Sequence, residues 1–133
     1  MGRVTLICGT PNAGKTTYSA RFENAFHYDD MRKQGIRMKD ILKADDVVVE
    51  GLFETAEARR RLVKMASRPC TCIWLNTPLE ECLKRENRGR GLGMIRYHHR
   101  IFEPPTYEEG WDEIIVIKEG QGNEQTITTG AGG

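Results

Sequence analysis

Residues 3–17 read Arg3-Val4-Thr5-Leu6-Ile7-Cys8-Gly9-Thr10-Pro11-Asn12-Ala13-Gly14-Lys15-Thr16-Thr17. The run from Val4 to Cys8 is aliphatic and β-branched, as a buried strand requires, and it enters Gly-x4-Gly-Lys-Thr directly. A strand, this spacing and a following helix together make a phosphate-binding loop, whose main-chain N–H groups and helix start form a concave anion site. The motif assigns Gly9, Thr10, Pro11, Asn12, Ala13, Gly14, Lys15, Thr16 and Thr17 to nucleotide binding. In it Lys15 reaches the β- and γ-phosphates and Thr16 holds Mg²⁺. A Cβ at Gly14 would obstruct the approach of the backbone to the phosphates. Tyr18, Phe22, Ala25 and Phe26 recur at helical spacing, so the loop is expected to open an amphipathic helix.

Downstream, strand and helix signals alternate. Phe26-His27-Tyr28 reads as a short strand ending at Asp29-Asp30, and residues 31–43 as a weak helix with Gly35 inside it. Residues 45–51 form a β-branched strand ending in Glu50-Gly51, followed by a helix over about 54–67. Cys70–Leu75 is the next strand. Thr77-Pro78-Leu79-Glu80 supplies a capping residue, a proline at the first helical position and a glutamate at the third, and so starts a helix. Gly89–Gly93 is mobile by composition, Ile114–Ile117 is a strand, and residues 119–133 form a frayed tail or one edge strand after a domain of residues 1–118. Near-continuously apolar strands alternating with helices imply an α/β fold, a parallel sheet of about four to five strands covered on both faces. Ligands of such sheets bind beyond the carboxyl ends of the strands, which brings the loop, Asp29, Glu50 and Asn76 to one edge.

Phosphoryl transfer needs positioning and charge stabilisation more than covalent chemistry. Asp29-Asp30-Met31-Arg32 can supply a carboxylate that takes a hydroxyl proton and a cation for the acceptor. Arg85, Arg88 and Arg90, ahead of the glycine-rich stretch, have the character of an arginine-rich lid that holds phosphate oxygens and withdraws. Arg59-Arg60-Arg61 reads as a solvated helix face, and His27, His98 and His99 have no ligand-like grouping.

The net charge of +1 steers the chain toward neither nucleic acid nor membrane. Charge is segregated locally: residues 84–102 carry six cations against Glu86 alone, and residues 103–119 carry six acids against Lys118. Cys8, Cys70, Cys72 and Cys82 lie in apolar runs without zinc or disulfide spacing, which suits buried free thiols in a reducing compartment. No secretory apolar segment opens the chain and no run approaches the ~20 residues of a membrane span, so a cytoplasmic protein with no membrane partner is expected.

The phosphate loop, Tyr28-Asp29-Asp30-Met31-Arg32, Asn87-Arg88-Gly89-Arg90 and above all the run Phe102-Glu103-Pro104-Pro105-Thr106-Tyr107-Glu108-Glu109-Gly110-Trp111-Asp112-Glu113-Ile114 resemble the kinase domain of phage and animal polynucleotide 5′-hydroxyl kinases over about residues 3–118. The resemblance implies a P-loop kinase fold and transfer of the γ-phosphoryl group of ATP, with Mg²⁺, to the 5′-hydroxyl of a DNA or RNA end. It also implies Asp29 as general base, Arg32 on the acceptor phosphate and Arg88 as the lid arginine with Arg85 and Arg90 beside it; Glu50, at the strand end, is a separate candidate for acting on the metal through water. A phage-encoded member would act in its host's cytoplasm, and oligomer formation is left open. Residues 30–49 lack the family's longer helical insertion, and Glu50-Gly51-Leu52-Phe53 departs from its pattern, so a nucleoside or another small alcohol is the alternative acceptor.

Overall fold

Residues 2–89, 91–118 and 126–128 are described in a computed structural model of the chain. Val4–Cys8 (β1), Phe26–His27 (β2), Val47–Gly51 (β3), Cys70–Leu75 (β4), Glu113–Ile117 (β5) and Thr126–Thr128 (β6) form one sheet in the order β2-β3-β1-β4-β5-β6. The first five of these are parallel and β6 runs antiparallel along β5. The helices are Lys15–Ser19 (α1), Tyr28–Lys33 (α2), Met38–Ile41 (α3), Ala56–Ala66 (α4), Leu79–Lys84 (α5) and Leu92–Ile101 (α6).

Alternation along β1 divides the core in two. Val4, Leu6 and Cys8 join Val49, Cys72 and Ile114 on one face, under Met31, Ile41, Leu62 and Trp111. Ile7 joins Ile73, Leu75 and Ile117 on the other, under Cys82 and Ile95. The central strand is therefore apolar on both faces, as a doubly covered parallel sheet requires. All four cysteines are buried free thiols. None of the helices among the described residues is long and apolar enough to cross a membrane.

Four local expectations are corrected. The first helix stops at Ser19, where the bonding tightens to i→i−3 turns at Arg21 and Phe22, and Phe26 lies outside it, paired with Val49 at the sheet edge. Residues 31–43 are two helices rather than one, broken where Gly35 takes φ +74°. Thr77 does not cap α5, since its hydroxyl donates to the Ala13 carbonyl at 2.7 Å and Pro78 occupies the cap position. The glycine-rich stretch ends at Gly91, and the residues after it form α6, whose Ile95 is buried in the core. Arg90 and residues 119–125 and 129–133 lie outside the described residues.

The largest correction concerns Arg59, which is not on a solvated face but fully buried. Its Nε and Nη2 donate to the two carboxylate oxygens of Glu109 at 2.7 and 3.0 Å. Nη1 reaches the Phe53 carbonyl and Nη2 the Glu103 carbonyl, both at 2.6 Å. Burial alone would pull the guanidinium toward neutrality, and Glu109 more than reverses this, so its pKa is raised. Glu109 also accepts from the indole N–H of Trp111 at 2.9 Å and closes a capping box with Thr106. Glu103 in turn accepts the Ala56 N–H at the start of α4 at 2.8 Å. The run 102–114 is thus structural packing around one buried cation, joined to β4 where Asp112 accepts the Cys70 N–H at 2.7 Å.

Removing one member of a buried pair strands the other charge, at about 3–5 kcal/mol. Arg59→Met should accordingly lower unfolding free energy by about that amount, whereas Arg60→Ala, on the exposed face of the same helix, should change it by no more than about 0.5 kcal/mol. Urea denaturation of the two variants checks this.

Candidate functional site

A cleft of about 640 Å³ opens beyond the carboxyl ends of β1 and β3. Its floor is the phosphate loop. Asn12 and Gly14 take φ of +66° and +103°, so the loop turns through backbone conformations that most side chains resist. Neighbouring elements brace it. Asn12 Nδ2 donates to the Cys82 carbonyl at 3.1 Å and to Glu86 Oε1 at 3.0 Å, Arg85 Nη1 donates to the Asn12 carbonyl at 3.1 Å, and Thr77 holds Ala13 from below. Thr10 Oγ1 lies 2.9 Å from His99 Nε2, and burial lowers the pKa of this imidazole. At Gly9 a Cβ would come within 3.1 Å of Ala13 Cβ and of the Leu75 carbonyl, so the bend over the sheet is tight as well.

Lys15 projects into the same space and donates from Nζ to the carbonyls of Gly9 and Thr10, at 3.0 and 2.8 Å. Desolvation lowers its pKa, while Glu50, Cys8, Cys82 and Asp29 oppose the shift. An ammonium with this little hydration gains strongly from an oxyanion brought beside it. Thr16 and Thr17 are exposed and line the cleft with Pro11, Asn12 and Gly14, whereas Gly9, Thr10 and Ala13 are buried beneath and shape the turn. The loop therefore fits a triphosphate, and the exposed Thr16 hydroxyl fits a Mg²⁺ that takes few protein ligands beside phosphate oxygens and water.

The other expected residues divide. Asp29, exposed in the first turn of α2, lines the cleft, while Asp30 beside it does not. Glu50, buried at the end of β3, also faces it and accepts from His27 Nδ1 at 2.7 Å. Arg85 and Arg88 line it where α5 gives way to the link toward α6. Arg32 does not; it is exposed and its guanidinium lies over the Tyr28 ring at 5.8 Å. Asn76 spends its N–H on the Ile117 carbonyl at 2.9 Å, extending the sheet.

The sequence reading assigned no role to Leu52, Met94 or His98, which also line the cleft. Met94 and His98 are four residues apart on α6 and share a face, while Ile95 and His99 turn toward the core and Thr10. His98 Nδ1 is 2.6 Å from Glu54 Oε2, with both side chains about one-fifth exposed. The signal available in the sequence was the helical spacing of Met94, Ile95, His98 and Phe102.

Neither a protein-family model nor a curated protein sequence matches the chain. Solved structures do. A gluconokinase from Sinorhizobium meliloti 1021 superposes with a TM-score of 0.63 at 14% identity, over 90% of this chain and 83% of that one. A sugar kinase from Janibacter sp. HTCC2649 superposes with a TM-score of 0.65 at 14% identity, over 89% and 86%. At this level of identity the likeness concerns architecture, and the architecture is the P-loop kinase fold.

Proposed function

We propose that the chain is an ATP-dependent phosphotransferase acting on a hydroxyl group of a small molecule. The observation that carries this reading is the meeting of Lys15 and Thr16 with Asp29 in one cleft, whose volume lies within the ~300–1,000 Å³ of small-molecule sites. The acceptor oxygen attacks the γ-phosphorus, the bond from that phosphorus to the β–γ bridging oxygen breaks, and ADP leaves. Asp29 takes the hydroxyl proton and passes it to solvent. Lys15 holds the β- and γ-phosphates, while Arg85 and Arg88 engage the oxygens of the moving group. Thr16, and Glu50 through water, would hold Mg²⁺, which would supply charge neutralisation to the phosphates.

A polynucleotide end, the acceptor implied by the sequence resemblance, carries phosphates that call for cations on the acceptor side. Arg32 would be that cation, and its place over Tyr28, out of the cleft, favours the smaller acceptor. The folds shared with a gluconokinase and a sugar kinase support the same choice. Incubation with ATP, Mg²⁺ and a panel of polyols, sugars, nucleosides and 5′-hydroxyl oligonucleotides is the test. Transfer to oligonucleotides alone would overturn the small-acceptor reading.

Two substitutions examine the assigned roles. Asp29→Asn should lower kcat by about 10²–10⁴ with ATP affinity retained, and Asp30→Asn should have only a few-fold effect, measured by steady-state kinetics and calorimetry. Lys15→Ala should lower kcat/KM by about 10²–10³, the cost of removing one preorganised donor to a developing charge.

A further inference from the structure

The lining of the cleft carries both signs of charge. Among the described residues, its cations Lys15, Arg85 and Arg88 come from the phosphate loop and the end of α5. Asp29 and Glu50, which interact with Lys15, line the cleft as well, together with Leu52, Met94 and His98, and Glu54 is hydrogen-bonded to His98. Arg96 and Arg100 are exposed on α6 and do not line the cleft.

His98 is built into this lining. A carboxylate can only accept here, so Nδ1 donates to Glu54 Oε2, and Nε2 is the ring's remaining polar atom. The orientation is fixed from several sides. The Glu54 carbonyl accepts the Glu103 N–H at 2.8 Å, the Phe53 carbonyl is held by Arg59, and the Tyr97 ring meets the imidazole edge-on at 5.3 Å. A hydrogen-bonding group held this firmly beside Leu52 and Met94 has the composition of a specificity site: an apolar lining with one placed polar atom.

Resting on the kinase reading above, we infer that His98, oriented by Glu54, binds a hydroxyl of the acceptor, and that the acceptor selected is a neutral polyhydroxylated molecule rather than a carboxylated or phosphorylated one. Nε2 accepts from a hydroxyl, and Asp29 accepts the hydroxyl proton at the reacting end. An acceptor bearing a carboxylate or phosphate would place its charge beside Asp29 and Glu50, and Lys15, the described lining cation that interacts with both, is taken by the β- and γ-phosphates in the kinase reading. Repulsion between like charges in a partly desolvated cleft works against such a ligand. His98 is a binding residue in this scheme and Glu54 a positioning residue.

The test compares D-glucitol and D-ribose as neutral acceptors with D-gluconate, glycerol 3-phosphate and a 5′-hydroxyl dinucleotide, for the unaltered protein and for His98→Leu, His98→Gln and Glu54→Gln. A neutral acceptor should show the highest kcat/KM of the unaltered protein. His98→Leu should raise the acceptor KM by about tenfold to a hundredfold, the equivalent of losing a hydrogen bond to a buried group, with kcat less affected and the KM for ATP unmoved. His98→Gln, which returns a polar atom near the Nε2 position, should recover part of the loss. Glu54→Gln should reduce the discrimination against gluconate.

An unchanged acceptor KM in His98→Leu, or a preference of the unaltered protein for gluconate, the phosphate ester or the dinucleotide, would overturn the inference and leave the kinase reading standing. Transfer to no acceptor despite ATP binding would overturn the kinase reading and this inference with it. If thermal melting shows His98→Leu unfolded, the acceptor ranking and Glu54→Gln decide.

Discussion

One buried cation organises more of this molecule than its single helix suggests. Arg59 binds the Glu109 carboxylate and the carbonyls of Phe53 and Glu103. It therefore fixes α4, the loop leaving β3 and the chain leaving α6 against one another. The loop leaving β3 bears Glu54, and the chain leaving α6 directly follows the helix that bears His98, so the Glu54–His98 side of the cleft is braced by a group that is not part of its lining. A charge so deep is tolerated only when nearly every donor is satisfied, and three separate stretches of chain must come together to do that. The pair therefore favours this arrangement of the three segments over alternatives that would leave a charge unmatched.

The phosphate side of the cleft is built on the same economy of bracing. The phosphate loop adopts backbone angles that cost energy at Asn12, and its polar groups are held by α5, the link beyond it and α6. α6 touches both sides. His98 faces the cleft with its partner on the β3 side, and His99, one residue on, meets Thr10, whose carbonyl in turn accepts from Lys15. A shift of this helix would therefore be felt at the phosphate site and at the Glu54–His98 pair together, which gives a physical route for coupling occupation of one side to the shape of the other.

The fold was legible in the sequence because its determinants are local. Val4–Cys8, residues 45–51 and Cys70–Leu75 announce buried strands by composition, and the glycine spacing after β1 fixes the loop. Asp29 and Glu50 were legible as cleft residues because parallel topology carries strand ends to one edge. Arg59 was not, since three consecutive arginines on a helix look alike until tertiary structure chooses one, and its partner lies 50 positions away. His98 was hidden for a related reason. Its meaning depends on Glu54, which is distant in sequence, and the glycines before α6 obscured the helix that brings the two together. Arg32 lies over the ring of Tyr28 on its own helix, a contact that its place beside Asp29 in the sequence does not reveal.

The narrowest element of the resemblance to polynucleotide kinases, the run from Phe102 to Ile114, is spent on Arg59, on the start of α4 and on the register of β4 with β5. Residues used in this way hold the scaffold together without being part of the cleft lining, so sharing them speaks for a common architecture and is silent on any acceptor. Under the proposed function, acceptor identity would instead depend on the rest of the cleft lining, including Leu52, Met94, His98 and the carboxylates Asp29 and Glu50. A polyanionic substrate would require cations at those positions, and placing cations there would lengthen neither strand nor helix. The scaffold could accept them, and these lining residues are instead acidic, apolar and imidazole.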